Sequence, residues 1–387
     1  MCSDHLLTPE IRLDPWDTAW NGLVCSLLLT WFDQAGRVLP WRKNKDPYRI
    51  WLSEIMLQQT QVQTVIPYYE RFLNLWPRLA DLAAADEEQV LKQWEGLGYY
   101  SRARNLHLAA RQMMRDRGGR LPDTEEGLRR LPGIGVYSAG AILSIAFGQP
   151  VAAVDGNVVR VFSRLTATAW DPADQAERRL VRSLVEKVQS RERPGDFNEA
   201  LMDLGATICL PRRPLCPECP LAGLCLARKT DHVDEFPLRK PAKAAPADYK
   251  TVLVCRSAGF THVHRRPNRG LLAGLYEFDW LPAEPADGRP EQDQILNAWQ
   301  AAHPAVEITA LGERLHRFTH RIWNMAGYRL CLDAPILPDI ILAGLAGSDH
   351  RPGDTGNWVT DRELAELPFP TALEAYRLMI LAAKSPD

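Results

Sequence analysis

Hydrophobic residues recur every three or four positions from Trp16 to about Leu226, which is the spacing that gives an α-helix one buried face. Proline or glycine interrupts this spacing at intervals. Within DEEQVLKQWEGLGYYSRARNLHLAARQMMRDRGG, for example, the pattern predicts one helix that ends near Gly96 and a second that ends near Gly118. We therefore predict an almost entirely helical domain over residues 1–229.

The pattern changes after residue 229. Residues 230–249 are rich in proline, alanine and charged side chains, and we predict a linker there because such a stretch cannot bury a core. Beyond it, YKTVLVCRS, LYEFDWL and YRLCLDA resemble short strands, whereas PEQDQILNAWQAAHP and TALEAYRLMILAAK have helical spacing. The sequence thus predicts a small α+β domain at residues 250–387.

Composition and charge add few constraints. The formal net charge is -2, and no apolar run approaches the roughly 18 residues that a membrane span needs. The first residues form neither a basic leader nor an apolar core, so we expect a cytoplasmic, monomeric protein without a membrane role. Between Tyr99 and Arg130, eight arginines accompany four acidic residues, which indicates either a solvated helix face or a nucleic-acid surface.

Four of the eight cysteines follow the spacing C-x6-C-x2-C-x5-C, at Cys209, Cys216, Cys219 and Cys225. Nothing suggests secretion, so we favour metal ligation over a disulfide knot. Four thiolates suit either a tetrahedral zinc ion or a [4Fe-4S] cluster. Zinc ribbons pair two C-x2-C knuckles, and because this loop has one, its spacing favours the iron-sulfur cluster.

The stretch LPGIGVYSAGA joins two predicted helices through Gly133 and Gly135. A helix N-terminus carries unpaired N–H groups and partial positive charge, and glycine removes the Cβ atoms that would keep a phosphate away. The hairpin is therefore either a tight turn or a phosphate clamp. In the separate cysteine loop, Arg212 and Arg213 lie between two prolines, where they can be presented to phosphates.

Two carboxylates stand out by their surroundings. Glu54 lies in the apolar stretch WLSEIML, where burial would raise its pKa towards that of a proton donor at neutral pH, although a peripheral glutamate is the commoner case. Asp155 precedes Gly156 and Asn157 after an apolar run, as an N-cap aspartate does. A capped helix start is also a rigid mount for a catalytic carboxylate.

Six stretches occur in the order in which the MutY family of adenine DNA glycosylases carries them: SEIMLQQTQV, GLGYYSRARNL, LPGIGVYSAGAI, AVDGNVVRV, FNEALMDLGA and the four-cysteine loop. The chain closely resembles this family over most of residues 30–226. The resemblance implies an all-α helix-hairpin-helix glycosylase of two lobes with a [4Fe-4S] cluster, followed by a Nudix-like α+β domain. The implied partner is double-stranded DNA containing A:8-oxoguanine or A:G mispairs, from which adenine is flipped into the active site.

The resemblance also assigns roles to single residues. Glu54 matches the acid that protonates adenine N7, and Asp155 matches the carboxylate that stabilises the oxocarbenium ion at C1′. Tyr137 matches an active-site position that bears a hydroxyl group. Arg42 and Glu199 match residues beside the bound adenine.

Other residues match positions around the base that lies opposite the adenine. Gln59 matches the side chain that fills the gap left in the duplex, and Tyr99 matches a wedge beside 8-oxoguanine, although the sequence alone leaves core packing open for it. The family's Phe-Ser-His loop, which contacts 8-oxoguanine, is Phe318, Thr319 and His320 here. The glutamate-rich box of hydrolysing Nudix domains does not occur in the sequence, so we expect this domain to bind rather than cleave.

Two alternatives remain at this stage. The endonuclease III family shares the hairpin, the aspartate and the cluster, but it acts as a glycosylase and lyase on oxidised pyrimidines and carries lysine where this chain has Tyr137. Because a Schiff base needs an amine, Tyr137 favours a monofunctional hydrolase. In the second alternative, a non-catalytic iron-sulfur module binds DNA, and Glu54 and Asp155 are ordinary structural acids.

Overall fold

The computed structural model describes Pro15 and residues 17–238, 244–281, 289–335 and 356–383. The chain divides into two compact units. Unit 1 comprises Met1–Ala80 and Leu108–Pro241, and unit 2 comprises Asp81–His107 and Ala242–Asp387. The domain boundaries predicted at residues 229 and 250 stay a prediction, and residues 239–243 of the predicted linker lie outside the described residues.

The first part of the described chain is helical, as the hydrophobic spacing predicts. Its helices are α1 Thr18–Ala35, α2 Pro47–Leu57, α3 Val62–Leu75, α4 Leu79–Ala84, α5 Glu87–Trp94, α6 Ser101–Arg117, α7 Glu125–Arg129, α8 Val136–Phe147, α9 Gly156–Thr166, α10 Gln175–Val188, α11 Pro194–Thr207 and α12 Leu226–Lys229. None of the described helices combines the length and the apolar character needed to cross a membrane.

Helix α2 illustrates how the sequence sets these boundaries. Pro47 occupies the first turn, where its missing N–H costs nothing, and the Asp46 side chain accepts a hydrogen bond from Arg49 N at 3.0 Å. Every residue from Ile50 to Met56 is buried. Glu54 is therefore carried into the interior of unit 1 by a helix that is apolar on all sides.

One core of unit 1 forms between α1, α9 and α11, where Leu28, Phe162 and Phe197 are fully buried. Helices α8 and α11 approach each other closely at Gly195, because a Cβ atom there would lie 2.8 Å from Ile145 Cα. This close approach places the residues of α11 beside those of α2 and α8. Residues 230–238 also pack on unit 1, where Arg164 Nε donates hydrogen bonds to the carbonyl oxygens of Val233 and Phe236 at 3.1 Å.

The C-terminal part of unit 2 is built on a seven-stranded sheet. Its strands are β1 Ala247–Ser257, β2 Phe260–Arg265, β3 Tyr276–Glu277, β4 Asp279–Trp280, β5 Glu307–Arg317, β6 Ile322–Cys331 and β7 Asn357–Thr360, in the order β3-β2-β1-β6-β5, with β4 paired to β1 and β7 paired to β2. Strands β1 and β6 are parallel, and the other pairs are antiparallel.

Among the described residues, three helices accompany this sheet: α13 Arg289–Ala302, α14 Asp361–Glu366 and α15 Glu374–Ala382. Alternate residues of β1 face two separate cores. Val252 and Val254 pack with Tyr376 of α15, whereas Leu253 and Cys255 pack in the core that contains Leu296 of α13. The sheet is thus covered on both faces, which explains why β1 is buried at consecutive positions.

Candidate active site

Helices α2, α8 and α11 surround a pocket in unit 1. Its walls include the apolar side chains of Leu39, Ile50 and Ile145. Arg42, Glu54 and Glu199 contribute the polar part of the lining, together with Ser53 and Arg37. The pocket therefore combines an apolar enclosure with a few convergent charges, which is typical of a small-ligand or base-binding site.

Glu54 lies at this pocket with only 5% of its surface exposed. Burial, together with the negative charges of Glu199 and Asp155, raises the pKa of the Glu54 carboxyl to about 8, although the Arg42 cation opposes the shift. A carboxyl group with this pKa is largely protonated at neutral pH. It can therefore donate a proton there, as the apolar surroundings in the sequence predict.

Asp155 is the N-cap of α9, as predicted. Its Oδ1 accepts hydrogen bonds from the backbone N–H groups of Asn157 and Val158 at 2.9 and 2.8 Å, and its Oδ2 accepts one from Asn157 Nδ2 at 2.8 Å. Three donors and the positive end of the helix stabilise the charged carboxylate and fix its position. Its charge acts on both Glu54 and Tyr137.

Tyr137 is the second residue of α8, and its hydroxyl group points at Met202 Sδ, 3.7 Å away. Burial raises the pKa of the Tyr137 hydroxyl well above its usual value, and the negative charges of Glu54 and Asp155 add to the shift. The hydroxyl group therefore stays neutral beside the two carboxyl groups. It can donate or accept a hydrogen bond there, but it cannot act as an amine nucleophile.

Arg42 and Glu199 form an ion pair at the pocket, with Arg42 Nε 2.8 Å from Glu199 Oε1. Burial raises the pKa of the Glu199 carboxyl, and Arg42 only partly offsets this effect. Five predicted residues thus meet in one place through mutual electrostatic interactions: Arg42, Glu54, Tyr137, Asp155 and Glu199.

Asp203 is an important member of this site that the sequence analysis missed. It accepts hydrogen bonds from Arg42 Nη1 at 2.8 Å and Nη2 at 3.0 Å, and from Arg37 Nε at 2.7 Å. Burial opposes the charge of Asp203, but these bonds outweigh it and lower the pKa of the carboxyl. The sequence could have indicated Asp203, because it follows Glu199 by four residues and so shares its face of α11.

The glycine hairpin lies next to α2. Gln58 Nε2 donates to Gly133 O and to Ser138 Oγ, both at 3.1 Å. Gly133 has φ +81°, which requires glycine, whereas Gly135 has an ordinary φ of -95° and caps α8. A Cβ atom at Gly135 would meet nothing within 4 Å, so the space in front of the α8 N-terminus is open to a ligand.

The four clustered cysteines converge on one pocket, which Leu204, Ile208 and Leu221 also line. Arg164 Nη1 donates to Cys209 Sγ at 3.4 Å, and Cys225 Sγ donates to the Arg164 carbonyl at 3.3 Å. Burial raises the pKa of the Cys219 thiol to about 12, and the charges of the other three cysteines contribute to the shift.

The spacing of these sulfur atoms can be compared with the spacing of zinc ligands. A tetrahedral zinc ion with Zn–S bonds of about 2.3 Å would bring its thiolates within about 3.8 Å of one another. Among the described residues, which include all four of these cysteines, no three of the four Sγ atoms lie within 4.8 Å of one another. These sulfur atoms therefore lie farther apart than zinc ligands do, and the [4Fe-4S] cluster stays a prediction from the sequence.

Arg212 and Arg213 are exposed in this loop, in agreement with the expectation that they point outward. Gln59 is also exposed, directly after α2, and has φ +58°. These three side chains do not line the Glu54 pocket. They belong to the surface of unit 1.

The remaining predicted residues lie in unit 2. Tyr99 is 45% exposed with φ +48°, so core packing does not explain it. Its hydroxyl group lies 2.7 Å from Thr319 Oγ1. Thr319 and His320 are exposed in the turn between β5 and β6, and Phe318 N donates to Arg321 O at 2.9 Å across this turn. The structure thus brings together two predicted contacts to the opposite base.

Comparison with known proteins identifies two matched regions. Residues 52–187 match the HhH-GPD superfamily of base excision DNA repair proteins, and residues 251–377 match the NUDIX domain. The chain is 36% identical to an adenine DNA glycosylase of Rattus norvegicus in an alignment of 401 positions that covers 90% of this chain and 76% of the relative. An adenine DNA glycosylase of Homo sapiens is also 36% identical, over 90% of this chain and 72% of the relative.

A solved structure is similar to the helical region. It is a thermostable thymine-DNA glycosylase, which aligns with a TM-score of 0.51 and 31% sequence identity over 54% of this chain and 97% of that chain. Together with the two family matches, this similarity confirms the predicted fold class, a helical helix-hairpin-helix glycosylase followed by a Nudix-like α+β domain.

Proposed function

The chain belongs to the adenine DNA glycosylase family, and on this premise we propose that it removes adenine mispaired with 8-oxoguanine or guanine from double-stranded DNA. It is a DNA N-glycosylase, an enzyme of base excision repair. One observation carries the proposed chemistry: a buried carboxyl group with a pKa of about 8, Glu54, interacts with a second carboxyl group, Asp155, which hydrogen bonds fix at a helix N-terminus.

In the proposed reaction, adenine is flipped out of the duplex into the pocket. The Glu54 carboxyl donates its proton to adenine N7, so the electrons of the C1′–N9 bond leave with a neutral base. The apolar surroundings of Glu54 support this step, because they keep its carboxyl group protonated at neutral pH until the proton passes to the base. Arg42 and Glu199 hold the base, and Asp203 keeps the Arg42 guanidinium in place.

Loss of adenine leaves positive charge on the sugar, which the Asp155 carboxylate stabilises at C1′. Water then adds to C1′ and gives up a proton, which restores the protonated Glu54 carboxyl group, and an abasic site is left. The neutral hydroxyl group of Tyr137 cannot form a Schiff base with that sugar. We therefore propose a monofunctional glycosylase that does not cut the strand.

The surface of unit 1 would provide the contacts to the DNA duplex. The open N-terminus of α8 at Gly133 and Gly135 would bind one phosphate through backbone N–H groups. We propose that Cys209, Cys216, Cys219 and Cys225 hold a [4Fe-4S] cluster, which when bound orders the loop that presents Arg212 and Arg213 to the duplex. Gln59 would occupy the gap left by the flipped adenine.

In unit 2, Tyr99 and the turn at residues 318–320 would contact 8-oxoguanine. Support comes from their exposure and from the hydrogen bond between Tyr99 and Thr319. The Thr319 hydroxyl group stands where the family carries serine, and it already has a partner. We propose that it acts on the opposite base together with Tyr99 rather than alone.

The test is cleavage of duplexes that contain A:8-oxoguanine, A:G, T:G or thymine glycol, with alkali added in a separate step. We expect base release from the first two duplexes and strand breaks only after alkali. Strand breaks without alkali on thymine glycol would support the endonuclease III alternative. Release of thymine from T:G would instead indicate the activity for which the structural relative is named.

Asp155→Asn tests the assigned mechanism against the non-catalytic alternative. The substitution keeps the size of the side chain and removes its charge, so we expect tight binding to A:8-oxoguanine duplexes with little adenine release. Asp33→Asn, in an exposed ion pair with Arg193, is the matched control. If Asp155→Asn releases adenine as fast as the wild type, the assigned role of Asp155 is wrong.

A further inference from the structure

A second group of buried polar side chains lies on the sheet of unit 2. His262 and His264 are 1% and 0% exposed, and they alternate along β2, so they point to the same face. His262 Nδ1 lies 3.1 Å from both carboxylate oxygens of Asp279, and His264 Nε2 lies 2.5 Å from Asp279 Oδ1. Asp279 itself is fully buried on β4. No step of the proposed glycosylase reaction uses these side chains.

A buried carboxylate is costly unless positive charge and hydrogen bonds compensate it. The cations nearest in the sequence have other partners: Arg256 pairs with Asp361, Arg266 pairs with Glu277, and Lys250 lies 4.9 Å from the ring centroid of Trp280. Within the described residues, the ion pairs of Asp279 are those with the two histidines. Its countercharge must therefore be a proton on an imidazole or a cation bound between the three side chains.

The geometry suits a small divalent cation. The three potential ligand atoms, one from each side chain, all lie within 4.8 Å of one another. A tetrahedral zinc ion with bonds of about 2.0 to 2.2 Å separates such atoms by about 3.3 to 3.6 Å, so small side-chain rotations would open the cluster around the ion. The two imidazole rings meet edge to face with centroids 4.6 Å apart, which lets both nitrogen atoms converge.

Cys255 is the candidate for the fourth donor, and its Sγ atom would have to move closer, because it does not lie within 4.8 Å of all three other ligand atoms. It is buried on β1 and hydrogen-bonds with the Asp279 carboxylate. Asp279 pairs directly with Leu253, and Cys255 lies two residues further along the same face of β1. One thiolate and one carboxylate would balance the two positive charges of the ion. Two imidazoles, one carboxylate and one thiolate suit zinc, whereas magnesium and calcium require a larger set of oxygen ligands.

We propose that His262, His264, Asp279 and Cys255 form a structural site for Zn²⁺ that joins strands β1, β2 and β4. The surroundings close this site to substrate. The Trp358 ring lies 5.1 Å from the His262 ring, and a Cβ atom at Gly356 would come within 2.6 Å of His262 Nε2. A site with four protein ligands and no open position stabilises the fold rather than catalyses a reaction. The proposal does not rest on the proposed function.

The first test uses the full chain with its iron-sulfur loop loaded, equilibrated with buffered Zn²⁺ and then analysed for both metals. We expect about one zinc per chain beyond the iron, and X-ray absorption at the zinc edge with two imidazoles, one oxygen and one sulfur at the usual bond lengths. Absence of retained zinc overturns the proposal. A shell of four sulfur atoms does so too, because it places zinc in the cysteine loop.

His264→Gln and Asp279→Asn each remove one ligand and should lower the affinity for zinc at least about tenfold. His232→Gln is the matched control, because His232 pairs with Glu235 at 2.7 Å on the exposed surface of unit 1. It should bind zinc as the wild type does. If one ligand variant does not fold, the absorption spectrum of the wild type still decides the question. Wild-type affinity in both folded ligand variants overturns the proposal.

Discussion

Each unit buries a carboxyl group, Glu54 in unit 1 and Asp279 in unit 2, and their protonation equilibria shift in opposite directions. Burial is the largest influence on both, and in both it favours the neutral form. The pKa of Glu54 rises to about 8 because two negative neighbours add to this effect. The pKa of Asp279 falls instead, because hydrogen bonds and charge from His262 and His264 outweigh burial.

The same contrast recurs within one helix. Glu199 and Asp203 lie on one face of α11, and both bond to Arg42. Burial dominates at Glu199 and raises its pKa, whereas the additional bonds from Arg37 help to lower the pKa of Asp203. Depth of burial therefore does not determine the charge of a carboxyl group. The number of donors that face it does, and this separates proton donors from structural anions.

The largest expected effect is on the reaction itself. Glu54→Gln keeps the shape of the side chain but removes its proton, so we expect adenine release in single-turnover assays to fall by about 10² to 10⁴-fold. Binding to A:8-oxoguanine duplexes should persist. Glu70→Gln, an exposed substitution on α3, is the control and should react at the wild-type rate. A Glu54→Gln enzyme as fast as the wild type would refute the assignment of the proton donor.

The second prediction concerns stability, where the two carboxyl groups should behave in opposite ways. Glu54 has a raised pKa in the folded protein, so its contribution to stability is complete below pH 4.5 and is lost as the pH rises towards 8. At pH 7 the free energy of unfolding is lower by about 3 kcal/mol for this reason. Glu54→Gln cannot ionise, so its stability relative to the wild type should improve by that amount between pH 4.5 and 7.

Asp279 has a lowered pKa, so its contribution is present above its ordinary value of 3.8 and is lost only in more acidic solution. Asp279→Asn should therefore destabilise unit 2 by about 3 to 5 kcal/mol at pH 7, even in the presence of a chelator. Hydrogen exchange of the α2 and β4 amides measures the two units separately. If the stability relative to the wild type changed in the same direction in both variants, the comparison would be contradicted.

The difference between the carboxyl groups also explains which of them the sequence could predict. Glu54 stood out because a single charge interrupts an apolar helix, and Asp155 because an N-cap position follows from the local sequence. The cluster around Asp279 did not stand out, because its two histidines lie in strand β2. That strand reads FTHVHR, and histidines at alternate positions resemble a solvent-facing pattern. Only the pairing of β1 with β2 and β4, which is a long-range property, places these polar side chains in the interior.

The same limit applies to the strands. YKTVLVCRS predicted β1 well, but LYEFDWL, expected as one strand, forms the separate strands β3 and β4 on either side of Phe278. Strands β2, β5 and β7 were not predicted. Strand β5 is mostly exposed and contains a bulge between Ala310 and Gly312, so hydrophobic alternation is weak there. Pairing with β6 holds it in the sheet despite this pattern.

The third prediction tests the Asp203 carboxylate on α11. Asp203→Asn removes the charge that holds Arg42 and Arg37, and we expect a loss of about 1 to 3 kcal/mol in adenine binding. Because Asp203 does not face the reacting bond, KM should change more than kcat. The exposed pair of Asp33 with Arg193 provides the control Asp33→Asn, which should have little effect. Loss of kcat alone would assign Asp203 a direct role in the reaction.

The smallest expected effect concerns an exposed hydrogen bond, where neither burial nor charge contributes much. The hydroxyl oxygen atoms of Tyr99 and Thr319 lie 2.7 Å apart. Thr319→Val removes this bond and should weaken the preference for A:8-oxoguanine over A:G by about 0.5 to 1.5 kcal/mol, whereas Thr319→Ser should keep it. A double-mutant cycle with Tyr99→Phe isolates the coupling. If Thr319→Ser is impaired as much as Thr319→Val, the methyl group rather than the hydroxyl group sets the preference.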